Sequence, residues 1–173
     1  MMRIFLIGFM ASGKSTIGKK LAHKLNLPFV DLDTYIEKKF NTTIRFLMYE
    51  KGQEEFRVIE KEALSEVIEK YKDAIISTGG GTPCFFDNME RMRKNGTTIY
   101  LEIDVPTLVN RLLYAKNDRP LIWGKSKEDL TIYAKELMNK RKSDYEQADF
   151  KVDGKNLNVK TLVDLIHKKV FTN

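Results

Sequence analysis

Residues 3–16 read Arg3-Ile4-Phe5-Leu6-Ile7-Gly8-Phe9-Met10-Ala11-Ser12-Gly13-Lys14-Ser15-Thr16. An apolar run passes straight into a loop bounded by two glycines and closed by a lysine and a serine. The first part predicts a short buried strand. Beyond the loop, Ile17, Leu21 and Leu25 recur at helical spacing, so a helix is expected to start near Lys14 or Ser15. Gly8 to Ser15 fits G-x-x-x-x-G-K-[ST] in the strand–loop–helix setting that this phosphate-binding pattern needs. Gly8 lets the chain turn out of the strand, and Gly13 lets backbone N–H groups approach phosphate oxygens. The helix N-terminus adds free donors and a favourable dipole. Lys14 can reach the outer phosphates, and the Ser15 hydroxyl can bind Mg²⁺.

Working outward, Pro28-Phe29-Val30-Asp31 predicts a second strand, Ala74 to Ser77 a third, Thr98 to Leu101 a fourth and Phe150 to Val152 a weaker fifth. Between them lie helical patterns: Thr34 to Lys39, Ile44 to Lys51 with Gly52 as a stop, a long amphipathic stretch through Phe56, Ile59, Ala63, Leu64 and Val67, then Val105 to Leu113, and a last helix through Leu162 and Ile166. Strands alternating with helices predict an α/β fold with a mostly parallel sheet covered on both faces. Two stretches interrupt the alternation. One runs from about Asp33 to Glu60; the other, polar and carrying Arg119-Pro120, from about Lys116 to Lys127. Insertions over a phosphate site are where closing lids sit; two plain surface loops are the alternative.

The 173 residues suit one domain with a real core. Hydrophobic residues at 42% and charged residues at 31% match an ordinary globular chain. The net charge of +6 fits either a solvated surface or an affinity for small anions. Nucleic acid is disfavoured, because the lysine-rich stretches alternate with acids and no basic stripe is interleaved with aromatics. A single cysteine, Cys84, excludes an internal disulfide framework and a cysteine metal cluster. It reads as a small buried filler. No stretch approaches a membrane span, and a cytoplasmic location is expected.

A phosphate cradle alone does not separate a small-molecule kinase from a nucleotide switch or a motor. The chain lacks an Asn-Lys-x-Asp stretch of the guanine-binding kind, and its length favours a kinase. Asp31-Leu32-Asp33 follows the second strand directly. If the strand stays extended, both carboxylates share a direction and can face the phosphate site; a pair of helix-capping acids is the alternative. Arg57 falls on the apolar side of the long helix, one turn before Glu60, and needs a partner: an internal acid or a bound carboxylate. Gly79-Gly80-Gly81 ends a strand on the cradle's edge of the sheet, where bare N–H groups could meet a ligand; a flexible turn is the alternative.

Taken together, GFMASGKST, FVDLDTYIE, GQEEFRVIE, ISTGGG, NDRPLI and RKSDYEQADFKVD resemble the shikimate kinase family in order and spacing over essentially the whole chain. The resemblance implies the small nucleoside-monophosphate-kinase fold: a five-stranded parallel sheet flanked by helices, with a helical substrate insert at about 33–60 and a lid at about 114–127. It implies transfer of the γ-phosphate of ATP to the 3-hydroxyl of shikimate, with Mg²⁺, by a monomeric single-domain enzyme. ATP would lie against Gly8, Ala11, Ser12, Gly13, Lys14, Ser15 and Thr16, with Arg111 near adenine and Arg119 reaching the phosphates from the lid. Ser15 and, through water, Asp31 would hold the metal. Asp33 would bind the shikimate hydroxyls and could act as base, alongside Lys14 and Arg119 as catalytic groups. Arg57 and Arg141 would clamp the carboxylate, Glu60 would position Arg57 or the substrate, and Gly79, Gly80 and Gly81 would close the pocket. Ile44, Met48 and Phe56 would line the apolar side of the ring. The chain departs from the family at Gln53 and Ser143. Other kinases of similar fold, such as a gluconate kinase, and a non-catalytic nucleotide switch remain as alternatives.

Overall fold

The computed structural model describes residues 2–114 and 126–171. Arg119, Trp123 and nearly all of the expected lid lie outside the described residues.

The five strands are β1 (Arg3–Ile7), β2 (Phe29–Asp31), β3 (Ala74–Ser77), β4 (Thr97–Glu102) and β5 (Phe150–Asp153), all parallel in the order β2-β3-β1-β4-β5. The unbroken apolar run of β1 follows from this order. A central parallel strand is covered on both faces, so each side chain needs an apolar partner. Phe5 and Ile7 pack into one core, with Leu64, Met92 and Tyr145. Ile4 and Leu6 point into the other, with Leu21, Ile99 and Ile166.

Helices α1 (Lys14–Leu25) and α7 (Val159–Phe171) cover the second face. The first face carries α2 (Leu32–Phe40), α3 (Ile44–Lys70), α4 (Asn88–Asn95), α5 (Val105–Leu113) and α6 (Lys127–Tyr145). Their ends follow local chemistry. Thr43 caps α3 by accepting from the Phe46 N–H, and Asp104 caps α5 above Pro106. Ser126 and Asp129 form a reciprocal capping box on α6. Asn26 and Asn41 take left-handed conformations to end α1 and α2.

One local expectation holds and two readings change. Gly52 stops the first helical run as expected: it is non-helical, at φ 80°, ψ 169°, and a second run follows it across a kink to Lys70, the two together making up α3. The expected insert therefore shares its second half with a long core helix. Helix α4 was not anticipated; it buries only Met89 and Met92 among its apolar positions, too few for a periodic signal. Finally, β2 ends at Asp31 and α2 begins at Leu32, so Asp33 lies in a helical first turn and not on an extended strand.

The order reverses direction around β1. From β1 the chain moves to β2 and β3 on one side, then crosses to β4 and β5 on the other. The loops leaving the strand ends open a crevice there, the usual ligand position in open α/β sheets. The register sets Leu6 and Asp31 on either side of Ser77. The loop after β1, the Asp31 corner and the glycine run after β3 therefore emerge side by side.

Candidate active site

Above these strand ends lies a cleft of about 1340 Å³, lined by the loop from Met10 to Thr16, by Asp31 and Asp33, by Ile44, Arg45, Met48 and Tyr49 of α3, by Ser77 to Gly80, and by Arg111 and Gly154 to Leu157. At the start of the loop Gly8 holds φ 139°; a β-carbon there would lie 2.7 Å from the Leu101 carbonyl oxygen, so only glycine fits. Ala11 holds φ 60° and Gly13 φ 99°, left-handed conformations that curl the loop. Gly13 caps α1 without any side-chain hydrogen bond, and no acid occupies that first turn. The N-terminus of α1 thus presents its donors to the cleft, as a phosphate site requires.

Lys14 is buried, and its ammonium group donates 2.8 Å hydrogen bonds to the carbonyl oxygens of Gly8 and Phe9. Ser15 Oγ donates to Asp31 Oδ2 at 2.6 Å and lies 3.3 Å from Ser77 Oγ. Asp31 also accepts from the Thr34 N–H at 3.3 Å, so it caps α2 while facing the cleft. The two roles set against each other in the sequence coexist in this residue. Among the described residues no group of three or more His, Cys, Asp or Glu forms a metal cluster. The oxygens of Ser15, Asp31 and Ser77 are hard donors, too few for an all-protein cage. That donor set fits Mg²⁺, which keeps waters and takes phosphate oxygens as its other ligands.

Asp33 sits deeper. Burial raises its pKa to about 6, helped by the charges of Asp31 and Glu60 and opposed by Lys14. Its Oδ1 would be 3.1 Å from a β-carbon on Gly79, and Glu60 Oε1 would be 2.8 Å from the same atom. Gly81 is as tightly constrained: a β-carbon there would meet the Arg57 guanidinium at 2.8 to 2.9 Å. Gly80 packs against the Met10 N–H and Arg141. Side chains from α2, α3 and α6 press directly on the backbone of the glycine run, a packing reason for glycine there in addition to any contact with a ligand.

Arg57 donates from Nη1 to Glu60 Oε2 at 2.7 Å, and Thr82 Oγ1 donates to Glu60 Oε1 at 2.6 Å. Glu60 is fully buried between these partners. Arg57 Nε is buried and has no hydrogen-bond partner among the described residues, a donor that a ligand could satisfy. Arg141 lies with its guanidinium 5.6 Å from the Phe9 ring centroid. Both arginines act on the half-buried Cys84 thiol, which desolvation nonetheless pushes up to about 12. Tyr145 donates to the Gly80 carbonyl at 2.5 Å and stacks on Tyr100, tying α6 to the glycine run.

Arg57 lies against Gly81 and Arg141 against Gly80, and with Glu60 and Gly81 they are not among the residues that line this cleft. Phe56 is a core residue, away from the cleft surface expected for it; Ile44 and Met48 do line the cleft. Arg111 Nη1 donates to the Ala11 and Ser12 carbonyls, and Nη2 to those of Gly154 and Lys155, which joins the phosphate loop to the loop after β5. Sequence reasoning missed Ser77, Thr82 and the Tyr145 contact. Ser77 was within reach, because it ends a parallel strand two residues before the glycine run. Thr82 and Tyr145 carry no local signal.

A parallel sheet with a phosphate loop at its reversal point, and a carboxylate–arginine group one helix away, defines a phosphate-loop kinase of small metabolites with the nucleoside-monophosphate-kinase fold. Comparison with known proteins narrows this class. Residues 10–171 match the shikimate kinase family. A shikimate kinase of Bacteroides fragilis is 48% identical over 150 residues, 87% of this chain and 83% of that protein. The crystal structure of shikimate kinase from Bacteroides thetaiotaomicron matches with a TM-score of 0.91 at 40% identity, covering 98% of each chain. The shikimate kinase of Acinetobacter baumannii in complex with shikimate matches with a TM-score of 0.85 at 28% identity, over 100% of this chain and 94% of that one. The chain belongs to the shikimate kinase family.

Proposed function

We infer that this protein transfers the γ-phosphate of ATP to the 3-hydroxyl of shikimate, giving shikimate 3-phosphate and ADP. The observation that carries this reading is the placement of one acid and one arginine around the glycine run: Asp33 beside Gly79, and Arg57 against Gly81 with a buried donor that has no partner among the described residues. An acceptor that bears a carboxylate at one end and hydroxyls at the other matches that pair.

In this reading, the loop from Gly8 to Thr16 cradles the phosphates of ATP and Arg111 flanks the nucleotide. Lys14 exchanges its contacts with the Gly8 and Phe9 carbonyls for phosphate oxygens. Ser15 and Asp31 hold Mg²⁺, which neutralises charge on the phosphates during transfer. Arg57, oriented by Glu60, and Arg141 fix the acceptor carboxylate; the planar fork of an arginine suits a carboxylate as a lysine does not. Asp33 accepts a hydrogen bond from the attacking hydroxyl. With a pKa near 6 it is ionised at neutral pH yet basic enough to take that proton as the oxygen attacks. Phosphoryl transfer is mostly positioning and charge stabilisation, so orientation is the larger part of this role. Arg119 brings further positive charge from the lid at about 114–127, and residues from about 33 to 60 serve as the acceptor-binding insert of one kinase domain. We place the enzyme in the cytoplasm as a monomer. No helix among the described residues is long and apolar enough to cross a membrane.

The test is acceptor-stimulated ADP release with Mg²⁺-ATP across a panel of acidic polyols. Shikimate should stimulate turnover and gluconate should not. Stimulation by gluconate alone would place the chain with another metabolite kinase, and no stimulation by any acceptor would favour a nucleotide switch.

A further inference from the structure

After β3 and the short 3-10 turn Thr82–Cys84, the chain carries two consecutive aromatics, Phe85 and Phe86, before α4. They are 38% and 59% exposed, so core packing does not account for them. Each meets a cation of α3. The Arg57 guanidinium carbon lies 4.3 Å from the Phe85 ring centroid, and Lys61 Nζ lies 5.0 Å from that of Phe86. Arg57 and Lys61 are one helical turn apart on one face. Adjacent residues reach them because Phe86 holds φ 53°, a left-handed conformation that is unusual for a bulky side chain. The corner is pinned on its far side, where Asp87 pairs with Lys61 at 3.4 Å and with Arg91 at 3.1 Å.

We propose that Phe85 is a positioning residue that presents the Arg57 guanidinium to the acceptor carboxylate. This inference rests on the carboxylate-binding role given to Arg57 above. A guanidinium has two faces and a rim of donors. Glu60 takes Nη1 on the rim. The Phe85 ring covers one face, and Phe56 approaches with its centroid at 5.3 Å. Stacking on an aromatic face attracts the charge without using any donor. Stacking therefore leaves Nε unsatisfied, a buried donor without a partner among the described residues. Replacing the ring by an aliphatic chain keeps the apolar cover but removes the closer of the two aromatic attractions, and leaves the guanidinium to Glu60 and the more distant Phe56 ring.

The experiment compares wild type, Phe85→Leu, Phe85→Tyr, Arg57→Ala and the Phe85→Leu/Arg57→Ala double variant. Steady-state constants are measured for shikimate, for an analogue lacking its carboxylate, and for ATP; thermal melts confirm folding. Phe85→Leu should raise KM for shikimate about 2–30-fold, the range that loss of one cation–π contact implies. It should leave kcat, KM for ATP and KM for the analogue unchanged. Phe85→Tyr should restore the wild-type KM, and Phe85→Leu should have no further effect in the Arg57→Ala background. The proposal is overturned if Phe85→Leu weakens ATP or the analogue equally, if tyrosine does not restore, or if the effect persists without Arg57. A wild type with strong preference for shikimate over the analogue and an unaffected Phe85→Leu variant overturns Phe85 alone. A wild type with no such preference overturns the carboxylate role of Arg57 and this proposal with it.

Discussion

Ser15 Oγ donates a 2.6 Å hydrogen bond to Asp31 Oδ2, joining the first turn of α1 to the end of β2. The contact links the phosphate loop to the second strand through the two groups assigned to Mg²⁺. Asp31→Asn keeps the size of the side chain and its ability to cap α2, since asparagine is as good an N-cap as aspartate. It removes the charge that favours a divalent ion. The Mg²⁺ concentration for half-maximal activity should rise at least several-fold, with the melting temperature nearly unchanged. Titrating activity against Mg²⁺ checks this, and an unaltered metal dependence would remove Asp31 from the metal site.

Asp33 should impose a pH limb on kcat/KM for shikimate, which reports the free enzyme. Its pKa is raised to about 6 from an ordinary 3.8. A base that must be ionised then loses activity as pH falls through about 6. The limb should vanish in Asp33→Asn, whose kcat should be about 10²–10⁴-fold lower if proton transfer matters and less depressed if orientation dominates. The sign for stability is opposite. A folded-state pKa above the unfolded one means the neutral acid favours folding; that contribution is complete below pH 4 and is lost as pH rises through 6. The ligand-free Asp33→Asn protein should therefore melt higher than wild type at pH 7 and equally at pH 3.5. Thermal melts at the two pH values decide the point.

Gly81→Ala tests the close approach of Arg57 to the glycine run. Its methyl carbon would lie 2.8 Å from both terminal nitrogens of Arg57, so the guanidinium must move. A displacement of about 1 Å in a substrate-positioning group can cost ~10²-fold. The kcat/KM for shikimate should fall by about that factor while ATP binding, measured by ADP or ATP titration, stays within about twofold. Equal losses for both substrates would mean that the whole loop has shifted.

Arg3 belongs to the fold and not to the chemistry. It is 5% exposed, and its three nitrogens donate to the carbonyls of Tyr71, Asn95 and Ile68 at 2.8, 2.6 and 2.6 Å. A cation at the start of β1 thus closes the C-terminal ends of α3 and α4 and complements their dipoles. Arg3→Met fills similar space but leaves those carbonyls unpaired. Stability should drop by roughly 3 kcal/mol, about 6–12 °C in Tm for a chain of this length. Denaturant unfolding measures the loss, and kcat of the folded fraction should be unchanged.

What the sequence determined is what depends on neighbours along the chain. The phosphate loop is legible because strand end, glycines, lysine and helix start are contiguous, and local backbone geometry makes the cradle. The parallel sheet is legible because five short apolar runs alternate with helical periodicity. The phosphate loop and the order of the landmarks were also enough to place the chain in its family. Tertiary structure decided whatever depends on residues far apart in sequence. The register of β1, β2 and β3 sets Asp31 beside Ser77, a pairing no local pattern announces. Close packing gives a reason for the glycine run: Asp33, Glu60, Arg57 and Arg141 come from three helices and meet only when the sheet brings those helices together. Gly52 was legible as a stop because glycine disfavours helix interiors, and it does break the helical run; that a second run follows at once and packs its apolar face into the core was decided by the tertiary structure. Helix α4 was invisible, since its place is held by two buried methionines and the cover of neighbours rather than by periodicity. A buried charge such as Asp33 or Glu60 takes its properties from the dielectric and the partners that enclose it, and those exist only in the folded chain.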